Sequence, residues 1–239
     1  MNMTTSIRPP VETLMSICVV IPTIRRKNGF KYLKQSLRLN TKILTNHKIV
    51  SDRFLFFSQE DQNELENLTT RHCLRPIYRP QHPQLNKNDV DEYQYWRMHL
   101  CLDFAFSMNY ALSQSPSSHY MWLEDDTILS GNILRQLQIL FHRRPDFDAV
   151  SPYHNSKYNF YGFACVLFKK SALYELIDLI YEKYSQDIPL DFFPKYTSYT
   201  VEAFPKKCAF HCGKHSSRTD KTIFRINEKL KWFWAGLRH

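Results

Sequence analysis

Apolar residues along the chain follow two alternating rhythms. Residues 17–22 (ICVVIP) form an unbroken, β-branched apolar run, which predicts a central strand covered on both faces. After a polar loop at 23–29, residues 30–44 carry apolar side chains at helical spacing. Residues 53–58 predict a second strand, 60–68 a helix and 74–78 a third strand, followed by a long polar loop at 79–91 containing Pro80 and Pro83. Trp96, Leu100, Phe104 and Met108 recur every fourth residue and predict a long helix over 93–112, which 115–119 breaks. A strand at 120–123, a helix over 133–141, strands at 149–153 and 163–168, a helix over 171–184 and a segment at 187–193 come next. A strand at 200–204 and a His-rich loop end the pattern. Strands alternating with helices predict an α/β fold with a mixed, mostly parallel sheet flanked by helices. No repeat or linker divides the chain, so 1–239 reads as a single domain, with a core at 16–221 and an aromatic, basic tail at 222–239.

The rhythm breaks most sharply at Tyr120-Met121-Trp122-Leu123-Glu124-Asp125-Asp126, where an apolar strand ends in three consecutive carboxylates. Burying such charge demands a compensating partner. A divalent cation carrying a diphosphate is one, because Mg2+ and Mn2+ prefer hard oxygen ligands. A solvated strand-to-helix turn, with Asp126 or Thr127 near the N-cap of a helix beginning near Gly131, is the other reading. In open α/β sheets ligands gather at the carboxyl ends of strands. A second such end, Pro22-Thr23-Ile24-Arg25-Arg26, supplies hydroxyl and guanidinium groups suited to a ribose and a diphosphate.

Composition narrows the chemistry. Five glycines among 239 residues, with no GxGxxG and no GxxxxGK[ST], exclude a glycine-rich phosphate cradle. A nucleotide must then be held by side chains and a metal. The net charge of +9 favours anionic partners, but no nucleic-acid-binding motif accompanies it, and nucleic acid is not an expected partner. Cys18 and Cys165 lie in apolar runs and are expected to be buried, reduced thiols. Cys208 and Cys212, beside His211 and His215, invite a zinc reading, yet structural zinc sites call for two clear ligand pairs. The oxidation state of these two cysteines stays open. No signal peptide and no apolar run long enough to span a membrane is present, so a soluble, cytoplasmic protein is expected. The tail 230–239 (LKWFWAGLRH) mixes aromatic and cationic residues as interfacial segments do. It offers either peripheral membrane contact or a segment docked on the domain.

Several of these stretches together resemble one family. Val20-Ile21-Pro22-Thr23-Ile24-Arg25-Arg26 with Tyr32-Leu33 is similar to the opening of the catalytic domain of N-acetylglucosaminyltransferase IV enzymes. So are Trp96-Arg97-Met98-His99-Leu100-Cys101-Leu102-Asp103-Phe104-Ala105-Phe106, the acidic triplet, Tyr161-Gly162-Phe163, Ile188-Pro189-Leu190-Asp191-Phe192 and His211-Cys212-Gly213-Lys214-His215-Ser216-Ser217. The motifs run in the family's order over residues 19–221. The enzyme that adds N-acetylgalactosamine to glycosylphosphatidylinositol anchors shares much of the pattern.

The resemblance implies a GT-A type, inverting, metal-dependent transferase that moves an N-acetylhexosamine from a UDP-sugar donor to a glycan acceptor. By matching positions, Asp126 would bind Mn2+ (or Mg2+), with Glu124 and Asp125 secondary. His215, or else His211, would complete the metal or diphosphate site. Asp191 would be the base that deprotonates the acceptor hydroxyl, with Asp187 as the alternative. Pro22, Thr23, Arg25, Arg26 and Arg97 would contact the donor, and Asp103 would orient Arg97 or hydrogen-bond the sugar. Members of the family carry an N-terminal membrane anchor and a stem in the Golgi, and this chain begins with Met close to its first strand. A Golgi location would require an anchor beyond this sequence. Competing readings are a metal-dependent nucleotidyl or phosphoryl transferase using the same acids, a non-catalytic carbohydrate- or nucleotide-binding module, and a basic nucleic-acid-binding protein.

Overall fold

The computed structural model describes residues 15–45, 47–81, 92–144, 147–152, 154–155, 160–161, 164–183, 201–203 and 209–211. Side chains are described for these except at 92–97, 154–155, 160–161, 183, 201–203 and 211.

The chain order is β1 (Ile17–Pro22), α1 (Lys31–Thr45), β2 (Val50–Phe57), a single 3-10 turn (Gln59–Asp61), α2 (Gln62–Arg71), β3 (Arg75–Tyr78), α3 (Glu92–Gln114) and β4 (His119–Leu123). Then come β5 (Thr127–Leu129), α4 (Ile133–Arg143), β6 (Ala149–Ser151), the short pair β7 (His154–Asn155) and β8 (Phe160–Tyr161), β9 (Cys165–Lys169), α5 (Lys170–Lys183), β10 (Val201–Ala203) and β11 (Ala209–His211). Seven strands form one sheet in the order β10-β6-β9-β4-β1-β2-β3. Only β9 runs antiparallel to its neighbours, β4 and β6. The expected mixed, mostly parallel α/β sheet is the fold observed.

Alternation along β1 explains its apolar continuity. Ile17, Val19 and Ile21 face a core shared with Leu33 and Leu37 of α1, Leu65 of α2 and Leu134 and Leu137 of α4. Cys18 and Val20 face the opposite core, built with Phe104, Ala105 and Met108 of α3 and Leu173 and Ile177 of α5. A strand with helices on both sides has no polar face to offer, so period-two patterning is lost. Large aromatics fasten α3 to β4: Phe104 meets Trp122 edge-on at 5.0 Å between centroids, and both are essentially fully buried. Each such side chain contributes on the order of 2–3 kcal/mol by leaving water. Cys18 and Cys165 are buried free thiols, as their surroundings predict.

The route of the chain through the sheet creates the crevice. From β1 it proceeds outward to β2 and β3, returns through α3, and enters β4 on the other side of β1. Strand order therefore reverses between β1 and β4. Connections diverge to opposite faces at such a switch point and leave a cleft at the carboxyl ends of the two strands.

Candidate active site

Both sequence-predicted clusters sit at that switch point. Pro22 closes β1 in register with Phe56, and the Thr23 N–H donates to the Phe56 carbonyl at 2.8 Å, which carries the loop straight off the strand end. Beyond β4, the Thr127 N–H donates to the Glu124 carbonyl at 3.0 Å, and the Glu124 N–H donates to the Ala164 carbonyl at 2.9 Å. Asp125 and Asp126 are thus the two central residues of a tight turn pinned beside β9.

This turn is neither solvated nor a helix start, which overturns that reading of the triplet. Asp125 and Asp126 are buried, β5 follows them, and α4 begins only at Ile133 after Asn132. The helix predicted over 133–141 is α4, and a short antiparallel pair, β5 with β11, lies between it and the acidic turn.

The β1 loop meets the turn directly. Thr23 Oγ1 donates to Asp125 Oδ2 at 2.6 Å. Arg26 Nη2 donates to Asp125 Oδ1 at 2.7 Å and lies 3.6 Å from Asp126 Oδ2. The Arg26 guanidinium rests 5.4 Å from the ring centre of Tyr32, and its side chain is 14% exposed. Its Nε and Nη1 are buried and have no hydrogen-bond partner. A buried guanidinium with two unanswered donors is costly unless an anion completes it. Thr127 Oγ1 is a third buried polar atom without a partner, one residue beyond Asp126.

Two carboxylates converge on one guanidinium nitrogen. Burial pushes the Asp125 carboxyl up to about 6, and the Asp126 charge adds to the rise, while Arg26 and the Thr23 hydroxyl pull it down. Removal from water outweighs the stabilisation that Arg26 and Thr23 give the carboxylate.

The backbone of the Arg26 loop is held by a reciprocal pair of hydrogen bonds between Arg26 and Gly29, at 2.7 and 3.3 Å. Gly29 has φ of 59°, a left-handed conformation that closes this turn and that a side chain would strain.

Arg25 goes elsewhere. Its Nε meets Asp61 at 2.8 Å and its Nη2 meets Glu64 at 2.8 Å, tying the loop to the 3-10 turn and α2. Of the two adjacent arginines, Arg26 joins the acidic turn. Asp103, on α3, holds Arg79 at 2.9 Å just beyond β3, where the guanidinium lies over Phe56 at 5.2 Å. Arg97 lies on α3 and its side chain is outside those described.

β11 brings His211 into register with Thr127, so its backbone flanks the acidic turn; its side chain is outside those described. Asp191 and His215 lie outside the described residues, as do Cys208, Cys212 and the tail. Two polar residues of α1 that sequence reading missed, Ser36 and Asn40, bond the backbone of the turn and of β5. Their signal was present: both interrupt the apolar stripe of α1 one turn apart.

Among the described residues no group of three His, Cys, Asp or Glu side chains gathers as a metal cage. Carboxylates with hard oxygens remain suited to Mg2+ or Mn2+ when substrate phosphates supply further ligands, the usual arrangement for Mg2+. The paired carboxylates of Asp125 and Asp126 fit that mode. Among the described residues no helix is long and apolar enough to cross a membrane.

No protein-family model matches the chain, and no curated protein matches it. Solved structures similar to it include a glycosyltransferase involved in glycosylation of the major capsid of PBCV-1, at 10% identity and TM-score 0.47, over 84% of this chain and 95% of that one. A cytidylyltransferase from Leptospira borgpetersenii matches at 11% identity and TM-score 0.48, over 90% and 83%. A mannosyltransferase from Pyrobaculum calidifontis, solved with GDP-Man and Mn2+, matches at 13% identity and TM-score 0.47, over 69% and 47%. Likenesses at this level decide neither fold nor chemistry, which rest on the topology and the site geometry above.

Proposed function

We propose that the chain is an inverting, metal-dependent glycosyltransferase that moves an N-acetylhexosamine from a UDP-sugar to a hydroxyl of a glycan acceptor. The observation that carries this reading is Arg26. It presents two buried, unanswered N–H donors beside two buried carboxylates at the β1/β4 switch point. Anion donors and cation ligands packed side by side suit a diphosphate bearing a divalent cation. A lone anion would be repelled by Asp125 and Asp126, and a lone cation would leave Arg26 unanswered.

In this reading Asp126 and Asp125 hold Mn2+ or Mg2+, with His211 or His215 completing the ligand set. The cation supplies Lewis-acid neutralisation of the departing UDP. Arg26 donates Nε and Nη1 to diphosphate oxygens while Nη2 keeps Asp125 in place. Thr23, with Pro22 setting the loop direction, orients Asp125. Arg25 steadies the loop through α2, and Asp103 with Arg79 borders the cleft at the ends of β2 and β3. Arg97, on α3, is assigned to the donor. The acceptor oxygen attacks the anomeric carbon as its bond to the β-phosphate oxygen breaks, and the acceptor proton passes to Asp191. The family resemblance of the 188–192 segment supports that last assignment.

The test is release of free UDP from a panel of UDP-sugars, led by UDP-N-acetylglucosamine and UDP-N-acetylgalactosamine, with Mn2+ and with EDTA. UDP release that EDTA abolishes is expected. Pyrophosphate in place of UDP would move the protein to the nucleotidyltransferases, and no product from any donor would sink the enzyme reading. Asp191→Asn is expected to bind the donor normally and lose transfer; a fully active variant means the base is another residue.

A further inference from the structure

Helix α1 buries two polar side chains against the acidic turn. Ser36 and Asn40 are 2% and 1% exposed, on the face that also carries Leu33, Leu37 and Leu44. Ser36 Oγ lies 2.5 Å from the Asp125 carbonyl and 3.1 Å from that of Leu33, within its own helix. Asn40 Nδ2 donates to the Thr127 carbonyl at 2.7 Å, and Asn40 Oδ1 accepts from the Leu129 N–H at 2.9 Å. Residues two apart in a strand present their backbone groups to the same edge. The Asn40 carboxamide therefore occupies one edge of β5, as a strand residue would, while β11 pairs along the other.

The two contacts bracket Asp126 and Thr127: Ser36 grips the carbonyl of the residue before Asp126, and Asn40 grips the carbonyl of the residue after it. Thr23 and Arg26 meanwhile grip the Asp125 side chain. Apolar residues at 36 and 40 would leave the Thr127 carbonyl and the Leu129 N–H of buried β5 unanswered, so these two polar side chains serve the turn and β5 rather than the apolar core. We infer that Ser36 and Asn40 are positioning residues, which hold the peptide plane before Asp126 and the one after Thr127, fix the short stretch between them and thereby aim the Asp126 carboxylate at the cation of the donor complex. The inference rests on the functional reading above. It makes α1 the element that binds the β1 loop and the β4 turn into one rigid site.

Residues that orient metal ligands typically cost about 10–100-fold in metal affinity or activity when removed. The experiment titrates Mn2+ alone into the full chain, followed by electron paramagnetic resonance, alongside the Mn2+ concentration for half-maximal UDP release. Wild type, Ser36→Ala, Asn40→Leu and Leu37→Ala are compared, with thermal unfolding of each. Ser36→Ala and Asn40→Leu are expected to weaken Mn2+ about tenfold or more in both readouts. Leu37→Ala, which leaves a cavity on the same helix face, is expected to lower the unfolding temperature and leave Mn2+ affinity unchanged. Should Ser36→Ala, the mildest change, fold normally and bind Mn2+ as wild type does, the positioning role is overturned while the functional reading stands. Should wild type bind no Mn2+ in either readout, both fall together.

Discussion

The two ends of the central sheet bury polar groups in opposite ways. At the amino end, Ser115 Oγ donates to Asp52 at 2.6 Å and lies 2.9 Å from Ser117 Oγ, which in turn bonds Ser51. The Tyr120 hydroxyl donates to the Ser115 carbonyl at 2.6 Å. Ser16 and Ser118 exchange backbone-to-hydroxyl bonds at 3.0 Å in both directions. Small hydroxyls answer one another there and end on the Asp52 carboxylate, which Arg75 approaches at 3.4 Å from the exposed side. At the carboxyl end, charges crowd together and Arg26 keeps two donors unanswered. A satisfied network specifies a fold, whereas an under-satisfied one stores cost that a ligand relieves. The contrast assigns structure to one end and binding to the other.

The largest test of that division is Asp126→Asn. If the two carboxylates hold the cation as proposed, losing one forfeits several kcal/mol of transition-state stabilisation, about 10^3-fold in kcat. The same change removes a like charge beside buried Asp125, so the metal-free protein is expected to keep or raise its unfolding temperature. Turnover assays and thermal scans check both halves. A variant that is destabilised yet active would make the acidic turn a structural element and erase the contrast.

How much of this was legible depended on the range of the interaction. β1, α3 and β4 announce themselves because a continuous apolar run or a four-residue spacing is local. β5 and β11 are three residues each, too short to carry a period, and each is a strand only because the other arrives from far along the chain. Without that pairing the acidic triplet reads as passing directly into a helix. Arg25 and Arg26 are chemically identical neighbours, and only the direction of the loop sends one to α2 and the other to Asp125. Asp103 could be placed on its helix from the sequence, but its partner Arg79 follows a different strand. Composition, by contrast, excludes a glycine-rich cradle without any knowledge of the fold, because a count of five glycines and two missing motifs need no contact to be read.

At the amino end, Ser115→Ala deprives the half-buried Asp52 carboxylate of its shortest bond and Ser117 of a partner. Weakening such a partly exposed network costs about 1–2 kcal/mol. Chemical denaturation should show the loss, while the Mn2+ requirement and the KM for the UDP-sugar stay at wild-type values. Altered Mn2+ dependence would mean that the two ends communicate through β4, and the division of labour would fail.

The smallest effect probes an exception near the amino end, where His47 Nδ1, Arg53 Nη1 and His119 Nε2 are buried without a partner. His119 bonds Ser118 through Nδ1 at 2.9 Å and packs edge-on against Phe141 at 4.5 Å, but its Nε2 is buried without a partner. Burial, with Lys169 opposite on β9 as the lesser cause, pushes the imidazole down to about 4 from an ordinary value of 6.5. The folded ring thus stays neutral over a range in which the unfolded ring takes up a proton. Stability contributed by the neutral ring is complete above 6.5 and declines as the pH falls from 6.5 toward 4. Between pH 7 and pH 5 the decline is about 1–2 kcal/mol after discounting for partial exposure. Asp125 works with the opposite sign, gaining a proton in the folded state as the pH falls through 6, so the whole-protein curve blends the two. The difference between wild type and His119→Gln cancels Asp125 and isolates the imidazole. The glutamine variant should gain on wild type by that amount on acidification from pH 7 to pH 5. A difference that stays constant with pH would show that Nε2 is answered after all, and that both ends of the sheet obey one rule.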